Sequence, residues 1–340
     1  MIAILGGGIA GASLALALSS RGRRDVIIFD PAEPGAGSTG RALGGFRTQH
    51  GSRLNIELSL AARPFFEARA DRIGFRPVGY LYLATSDAGA RTLRERAELQ
   101  QACGLPIEHP DPAALVPFVA AHRVVATNYC ALDAVYRPPL ILGCVIEEAR
   151  AHGAEFRYGT VADPSDLAAA EFIAVCAGAS SRAAGEQLGI ALDVTPVRRG
   201  IFQIGPYDWV GADTPVTLDV ETGFHLRERD GRLLVIGPAD PDDWPAHQAW
   251  LEERVPRAAA AVPEAHWSGD YEVTFDHHPL AGPTARPGVW TMCGFSGHGV
   301  MHSPIVADAL AAMLLGESPP VDIGPLDPSR TEPLVDSTQL

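Results

Sequence analysis

Residues 2–30 read Ile2-Ala-Ile-Leu-Gly6-Gly-Gly8-Ile-Ala-Gly11, then an Ala/Leu-rich run, then Val-Ile-Ile-Phe-Asp30. The pattern predicts a strand, a G-x-G-x-x-G turn, a helix and a second strand that ends in a carboxylate. Gly6 permits the tight turn, Gly8 lets backbone approach a pyrophosphate, and Gly11 lets the helix pack close to the strand. Unpaired N–H groups at the start of the helix favour phosphate oxygens. Asp30 lies nineteen residues after Gly11, where a carboxylate accepts from a ribose 2′-OH. Strand, glycines, helix and acid agree on a dinucleotide site.

The 340 residues are enough for about two domains and a large core. A formal charge of −14 with no cluster of Lys or Arg argues against nucleic acid as a partner, because phosphate neutralisation needs grouped cations. Cys103, Cys130, Cys144, Cys176 and Cys293 include no C-x-x-C pair and read as reduced thiols of a cytoplasmic protein. With the first strand predicted to start at Ile2, no secretory signal is expected. Apolar runs are broken well short of ~20 residues, so no membrane span is expected.

Beyond Asp30 the chain enters a Gly/Ser/Thr-rich loop containing Ser38, Thr39, Gly40, Arg41, Gly44 and Gly45, rich in donors and short of bulk. Such a loop suits a second wall around a long, charged ligand. Helices are predicted over Leu54–Arg72, over residues 87–103 with an exposed charged face, and over Pro138–Ala151. Strands are predicted over Val78–Ala84, Glu155–Val161, Phe172–Gly178 and within 199–240, with a turn at Arg229-Asp-Gly231. Asp240–Ala260 reads as a surface helix with loops, and an apolar helix is expected from Pro304 to Leu315. The fold class is therefore α/β. A discontinuous Rossmann-type domain (1–72, 131–198 and 276–340) carries an inserted α+β substrate domain (73–130 and 199–275) on an antiparallel sheet.

A second glycine loop, Gly294-Phe-Ser-Gly297-His298-Gly299, precedes the last helix. Together with Gly6-x-Gly8-x-x-Gly11, Asp30, Ser38-Thr-Gly-Arg41 and Gly44-Gly45, it resembles the D-amino-acid-oxidase-like FAD-dependent oxidoreductases. The similarity covers nearly the whole chain. The stretch Trp267-Ser-Gly-Asp-Tyr271-Glu-Val-Thr-Phe-Asp276-His-His-Pro-Leu-Ala-Gly282 resembles the branch of sarcosine oxidase beta-subunit, proline dehydrogenase and glycine oxidase, as do Gly79-Tyr-Leu-Tyr-Leu and Leu326-Asp-Pro-Ser-Arg330.

The resemblance implies noncovalent FAD and hydride transfer from an amine carbon to flavin N5, giving an imine. It implies cofactor contacts at the glycines already named, at Ile9, Ala10, Asp30 and Pro31, and at Ser38, Thr39 and Arg41. It adds Val161 (whose backbone meets adenine in this family), Ala177 and Gly178, and His298, Val300 and Met301 at the last helix. The positive end of that helix would favour a reduced, anionic ring by ~0.3–1 kcal/mol. His298 either donates to the ring or caps the helix.

Departures from the family pattern bear on the substrate. Monomeric sarcosine oxidases attach flavin through a Cys shortly before the Asp276 position, and residues 264–275 contain none. The D-arginine dehydrogenase type has a carboxylate-binding Arg where Tyr271 stands and a Tyr where His225 stands. The usual excursion before the Ala177-Gly178 strand is reduced to Ala162–Glu171. An amino-acid ligand needs a cation for its carboxylate, best a bidentate Arg. Arg47 is the first candidate and Arg199 the second. His50, His225 and Tyr271 are placed in the pocket, with His50 or His225 helping keep the substrate amine neutral. His277-His278 is not read as a metal site, because adjacent strand residues face opposite ways.

The expected substrate is a small secondary or N-methylated amino acid, sarcosine- or proline-like, with O₂ or a redox carrier as electron acceptor. A D-amino-acid dehydrogenase or oxidase is the second enzyme reading. A flavoprotein subunit or assembly factor without its own turnover is the third. Relatives in this branch work inside hetero-oligomers, so a homo- or hetero-oligomer stays open.

Overall fold

The strand Ile2–Leu5 sits inside a six-stranded sheet ordered Leu280–Pro283, Val289–Cys293, Phe172–Val175, Ile2–Leu5, Val26–Asp30, Glu155–Tyr158. The computed structural model describes residues 1–334. All pairings in this sheet are parallel except that of Leu280–Pro283 with Val289–Cys293. Side chains alternate across the strand: Ile2 and Ile4 enter one core, and Ala3 enters another with Phe29, Ile173 and Val175. Both faces are covered, which is why these strands read as nearly continuous apolar runs.

The helix Ile9–Ser20 has buried residues from Ile9 through Ser19. A helix apolar on every side must be enclosed on every side. It lies between the helices Pro138–Ala151 and Gly299–Leu314. Gly11 is what lets it descend onto the sheet: a Cβ there would stand 1.9 Å from the Gly6 carbonyl oxygen and 3.1 Å from the Ile4 side chain.

The second sheet has seven strands, ordered Ala265–Val273, Thr195–Ile204, Arg232–Ile236, His225–Arg229, Val216–Asp219, Tyr80–Ala84, Ala126–Cys130. The turn at Asp230-Gly231 has φ 54 and 73, the positive pair a two-residue hairpin needs. The sheet is antiparallel as expected, apart from the parallel pairing of Val216–Asp219 with Tyr80–Ala84. Those two strands are separated by a long return through the first sheet, so no hairpin dictates their direction. The boundary drawn after residue 198 falls inside the strand Thr195–Ile204.

Three helices differ from the sequence reading. The helix over 54–72 is Arg53–Glu67, followed by a separate turn Ala70–Ile73. Between them Arg69 leaves helical geometry (φ −119) and forks onto Glu148, 2.5 Å away. The helix Trp244–Arg254 is less superficial than its charge suggested, because Trp250 and Leu251 are buried against the antiparallel sheet. The last helix begins at Gly299, five residues before Pro304, which is tolerated inside it although it removes one backbone donor. Among the described residues no helix is long and apolar enough to cross a membrane.

Arg330 explains the closing Leu326–Arg330 signature. Its guanidinium donates to both Asp276 oxygens (2.8 and 2.9 Å) and to the carbonyls of Pro279 and His278. Burial works against the Asp276 charge, but the Arg330 bonds hold its pKa down to about 2. Breaking a buried pair leaves an uncompensated charge, at a cost of roughly 3–5 kcal/mol. Arg330→Ala should lose about that much unfolding free energy in urea titrations at pH 7. Since the folded pKa is depressed, the pair's contribution is present above the carboxylate's ordinary pKa and should fade as pH falls toward 2.

Candidate functional site: a cavity at the carboxyl edge of the parallel sheet

Where the parallel strands end, a cavity of about 650 Å³ opens, within the ~300–1,000 Å³ range of small-molecule sites. Gly6, Gly8, Ile9 and Ala10 line one side, and Asp30, Pro31 and the largely exposed Val161 line the far end. Ser38, Thr39 and Arg41 form the wall expected of their loop, as a short helix Ser38–Arg41. Ala177, Gly178, Gly297, Gly299 and Val300 complete it, joined by Arg199 and Tyr271 from the second sheet.

Each glycine has its own geometry. Gly6 has φ +108, and a Cβ on it would lie 2.3 Å from the Cys176 carbonyl oxygen. A Cβ on Gly8 would meet only the Thr39 hydroxyl, at 3.3 Å, so Gly8 presents bare backbone to the cavity. Asp30 does more than wait for a ribose: its Oδ2 accepts from the Gly7 N–H at 2.7 Å and its Oδ1 from the Ala32 N–H at 2.8 Å. It therefore fixes the glycine turn, and its remaining lone pairs face the cavity. Thr39 Oγ1 accepts from the Ile9 N–H at 3.1 Å, satisfying one donor at the helix start.

Other residues expected on the cofactor wall stand behind it. Gly44 and Gly45 are glycines because the Tyr136 carbonyl oxygen and the Tyr80 hydroxyl would lie 2.3 and 1.7 Å from their Cβ positions. Gly40 packs on the Gly35 carbonyl and Gly294 on Thr274. Gly11 faces Gly6, as its helix-packing role requires, and Met301 is buried in the helical core. His298 makes no side-chain cap of the last helix. Its Nε2 instead sits 2.7 Å from Arg47 Nη2. The guanidinium can only donate, so Nε2 is the unprotonated nitrogen and the ring proton is on Nδ1. Burial, then the Arg47 charge, hold its pKa well below the usual value.

Arg47 is half-buried, follows the two-residue strand Gly45–Phe46, and donates through Nη1 to the Tyr82 hydroxyl at 3.1 Å. Among the described residues no carboxylate forms an ion pair with it. Behind it, His50 Nε2 lies 3.1 Å from the Arg47 carbonyl oxygen and 3.2 Å from Ser59 Oγ, which also meets His302 Nε2 at 2.8 Å. Burial keeps these rings neutral, with His302 brought down to about 3 and His50 well below its ordinary value. His225 starts its strand with Nδ1 3.1 Å from the Gly223 carbonyl and a pKa lowered by burial to about 4. Arg199 lies over the Tyr271 ring, 5.9 Å from its centroid.

Sequence reasoning missed Tyr82, Ser59 and His302: Tyr82 lay in the Gly79-Tyr-Leu-Tyr-Leu stretch without an assigned role, and Ser59 and His302 belong to no quoted motif. Glu272 was also missed. It lines the cavity, and its buried Oε2 has no hydrogen-bond partner. Its one signal was adjacency to Tyr271 in the stretch Trp267–Gly282.

The family model for FAD-dependent oxidoreductases of the DAO type matches residues 1–313. The chain belongs to this family. Glycine oxidase of Geobacillus kaustophilus (strain HTA426) is 25% identical over 370 residues, covering 97% of this chain and 96% of its own length. Mitochondrial dimethylglycine dehydrogenase of Mus musculus is 27% identical over 385 residues, across 96% of this chain but 44% of that protein. The solved L-proline dehydrogenase from P. horikoshii superposes with a TM-score of 0.86 over 96% of both chains at 19% identity, which shows the shared fold.

The flavoprotein's cavity suits FAD: bare backbone at Gly8, an acid at one end, glycine loops on two sides and the orphaned Glu272 oxygen between them. Gly8→Val should fold, since only the Thr39 hydroxyl lies near the new Cβ. It should purify colourless. Full flavin absorbance at an unchanged melting temperature would move the pyrophosphate approach away from Gly8.

Proposed function

We propose that this flavoprotein oxidises a small amino acid with a secondary or N-methylated amine to the imine, with Arg47 holding the substrate carboxylate. The observation that carries this reading is the Arg47 guanidinium itself. It is half-buried and fixed by two neutral partners, Tyr82 and His298, and it lacks an ion-paired carboxylate among the described residues. A desolvated cation with neutral anchors stands ready for an anion. Neither Arg47 nor His298 lines the cofactor cavity, but His298 lies between Gly297 and Gly299, which do, and this supports a clamp close to FAD.

In this reading the six-stranded sheet and its helices hold FAD, and the seven-stranded sheet supplies the substrate wall. The glycine turn, Asp30, the Ser38–Arg41 wall and Ala177–Gly178 hold the dinucleotide, while Tyr271 and Arg199 close the flavin end. When bound, FAD accepts the hydride from the carbon next to nitrogen. The chain's part is to bind, orient and exclude charge. His50, with its Nε2 held by a carbonyl and Ser59, and His225, with a pKa near 4, are weak bases. They act as neutral supports beside the Arg47 cation that the carboxylate meets. A neutral pocket lowers the cost of a substrate amine that has lost its proton. Glycine oxidase and dimethylglycine dehydrogenase, by their names, act on small amino acids, which supports a substrate of that class.

Hydrogen bonds to a charged partner contribute ~1.5–3 kcal/mol, so Arg47→Ala should raise KM roughly 10–100-fold for sarcosine- or proline-like substrates. An unchanged KM would pass the clamp to Arg199. Anaerobic bleaching of the flavin across sarcosine, dimethylglycine, L-proline, glycine, D-alanine and D-arginine should be fastest among the secondary and tertiary amines. Bleaching only by the D-amino acids would favour the D-amino-acid enzyme, and none at all a subunit without turnover. Acid precipitation should release the FAD into the supernatant, as expected without a thiol in 264–275.

A further inference from the structure

Glu272, next to last in the strand Ala265–Val273, lies between two loops that line the cavity. On one side is Gly178, whose Cβ position is 3.8 Å from Glu272 Oε2. On the other is the glycine loop: Glu272 Oε1 accepts from the Phe295 N–H at 3.4 Å, and its backbone carbonyl accepts from the Ser296 N–H at 2.9 Å. Oε2 is buried without a hydrogen-bond partner, and Glu272 is one of the residues that line the cavity. Among the described residues no cation forms an ion pair with Glu272. A buried orphan oxygen of this kind is costly unless something absent from the protein completes it.

The geometry points to Glu272 as a direct FAD ligand that is protonated in the complex, its Oε2–H donated to an acceptor oxygen of the cofactor, so that FAD binding takes up a proton. An ionised Glu272 would line the same cavity as the cofactor's diphosphate, at a buried position. Like charges in a low-dielectric space exclude one another, and the cheapest remedy is a proton. The free protein is already poised for it: burial pushes the Glu272 pKa up to about 7, with the loop N–H groups opposing. The groups facing it do not compete for that proton near neutrality. Burial raises the thiols of Cys176 and Cys293 and the phenol of Tyr271, keeping them neutral. His298 is held well below its usual pKa, and the Arg199 cation sits across the Tyr271 ring. Asp270, the preceding residue, is turned toward Arg198, 3.8 Å away.

The test is FAD titration of the full chain, freed of cofactor, followed by flavin fluorescence quenching from pH 6 to 9. Wild-type Kd should be flat below the Glu272 pKa of about 7 and rise by up to about tenfold per pH unit above it. Glu272→Gln keeps a donor and has no charge to lose, so it should match the wild type at pH 6 and stay flat to pH 9. Glu272→Leu should bind several-fold more weakly at pH 6. Its cofactor-free melting temperature at pH 8 should equal or exceed that of the wild type, which separates lost ligation from lost folding. Calorimetry at pH 8 in two buffers of different ionisation enthalpy should show about one proton taken up by the wild type and about none by Glu272→Gln. A flat wild-type profile, an affinity that rises with pH, or equal proton uptake by wild type and Glu272→Gln would overturn the assignment.

Discussion

Backbone meets backbone where the first strand, the first helix and the Phe172–Val175 strand converge, and the site depends on that contact. Any side chain at Gly6 would strike the Cys176 carbonyl, and any at Gly11 would strike the Gly6 carbonyl. Only because both positions lack a Cβ can the turn lie flat against the next strand and the helix start at the sheet edge. Asp30 then ties the turn to the second strand through the Gly7 N–H. The result is a cavity floor made of main-chain donors, the surface a diphosphate requires.

The two sheets are joined by polar groups that cross between them. Arg227, on the antiparallel sheet, donates to the carbonyls of Leu43, Gly44 and Tyr136, and burial lowers its pKa to about 10. Arg229 adds a bond to Leu43 at 2.9 Å. These guanidiniums hold the chain just ahead of Arg47, so the seven-stranded sheet helps set the position of the clamp we propose. Ser38 Oγ, donating to the Asp270 carbonyl at 2.7 Å, and Trp267 Nε1, donating to the Arg41 carbonyl at 3.1 Å, close the opposite wall.

Around Arg47 the protein gathers imidazoles and hydroxyls in place of carboxylates. The nearest buried acid network, Asp133, is spent on Thr48 and Gln49: it accepts from the Thr48 N–H and hydroxyl and from Gln49 Nε2 at 2.8 Å. Burial raises its pKa to about 6, with those bonds opposing. Neutral anchors position a cation without quenching its field, which is how a pocket keeps its attraction for an anion while holding its geometry.

The amino-acid sequence by itself determined the parts governed by local rules. Glycine spacing, strand alternation and an apolar helix gave the strand–turn–helix, the strand of Phe172–Val175 and the helix Pro138–Ala151, since each depends on backbone conformation and one-dimensional periodicity. It also singled out Gly8, Asp30, Thr39 and Gly178 for the cofactor and Tyr271 for the substrate, and the fold brings all five to one cavity. Tertiary structure decided what required knowing the neighbour across space. A Cβ at Gly44 or Gly45 would strike Tyr136 or Tyr80, and His298 meets Arg47. Glu272 became a cofactor-facing acid only when two distant loops closed over it. Such roles come from desolvation and from partners remote in the chain, which no spacing along the sequence encodes.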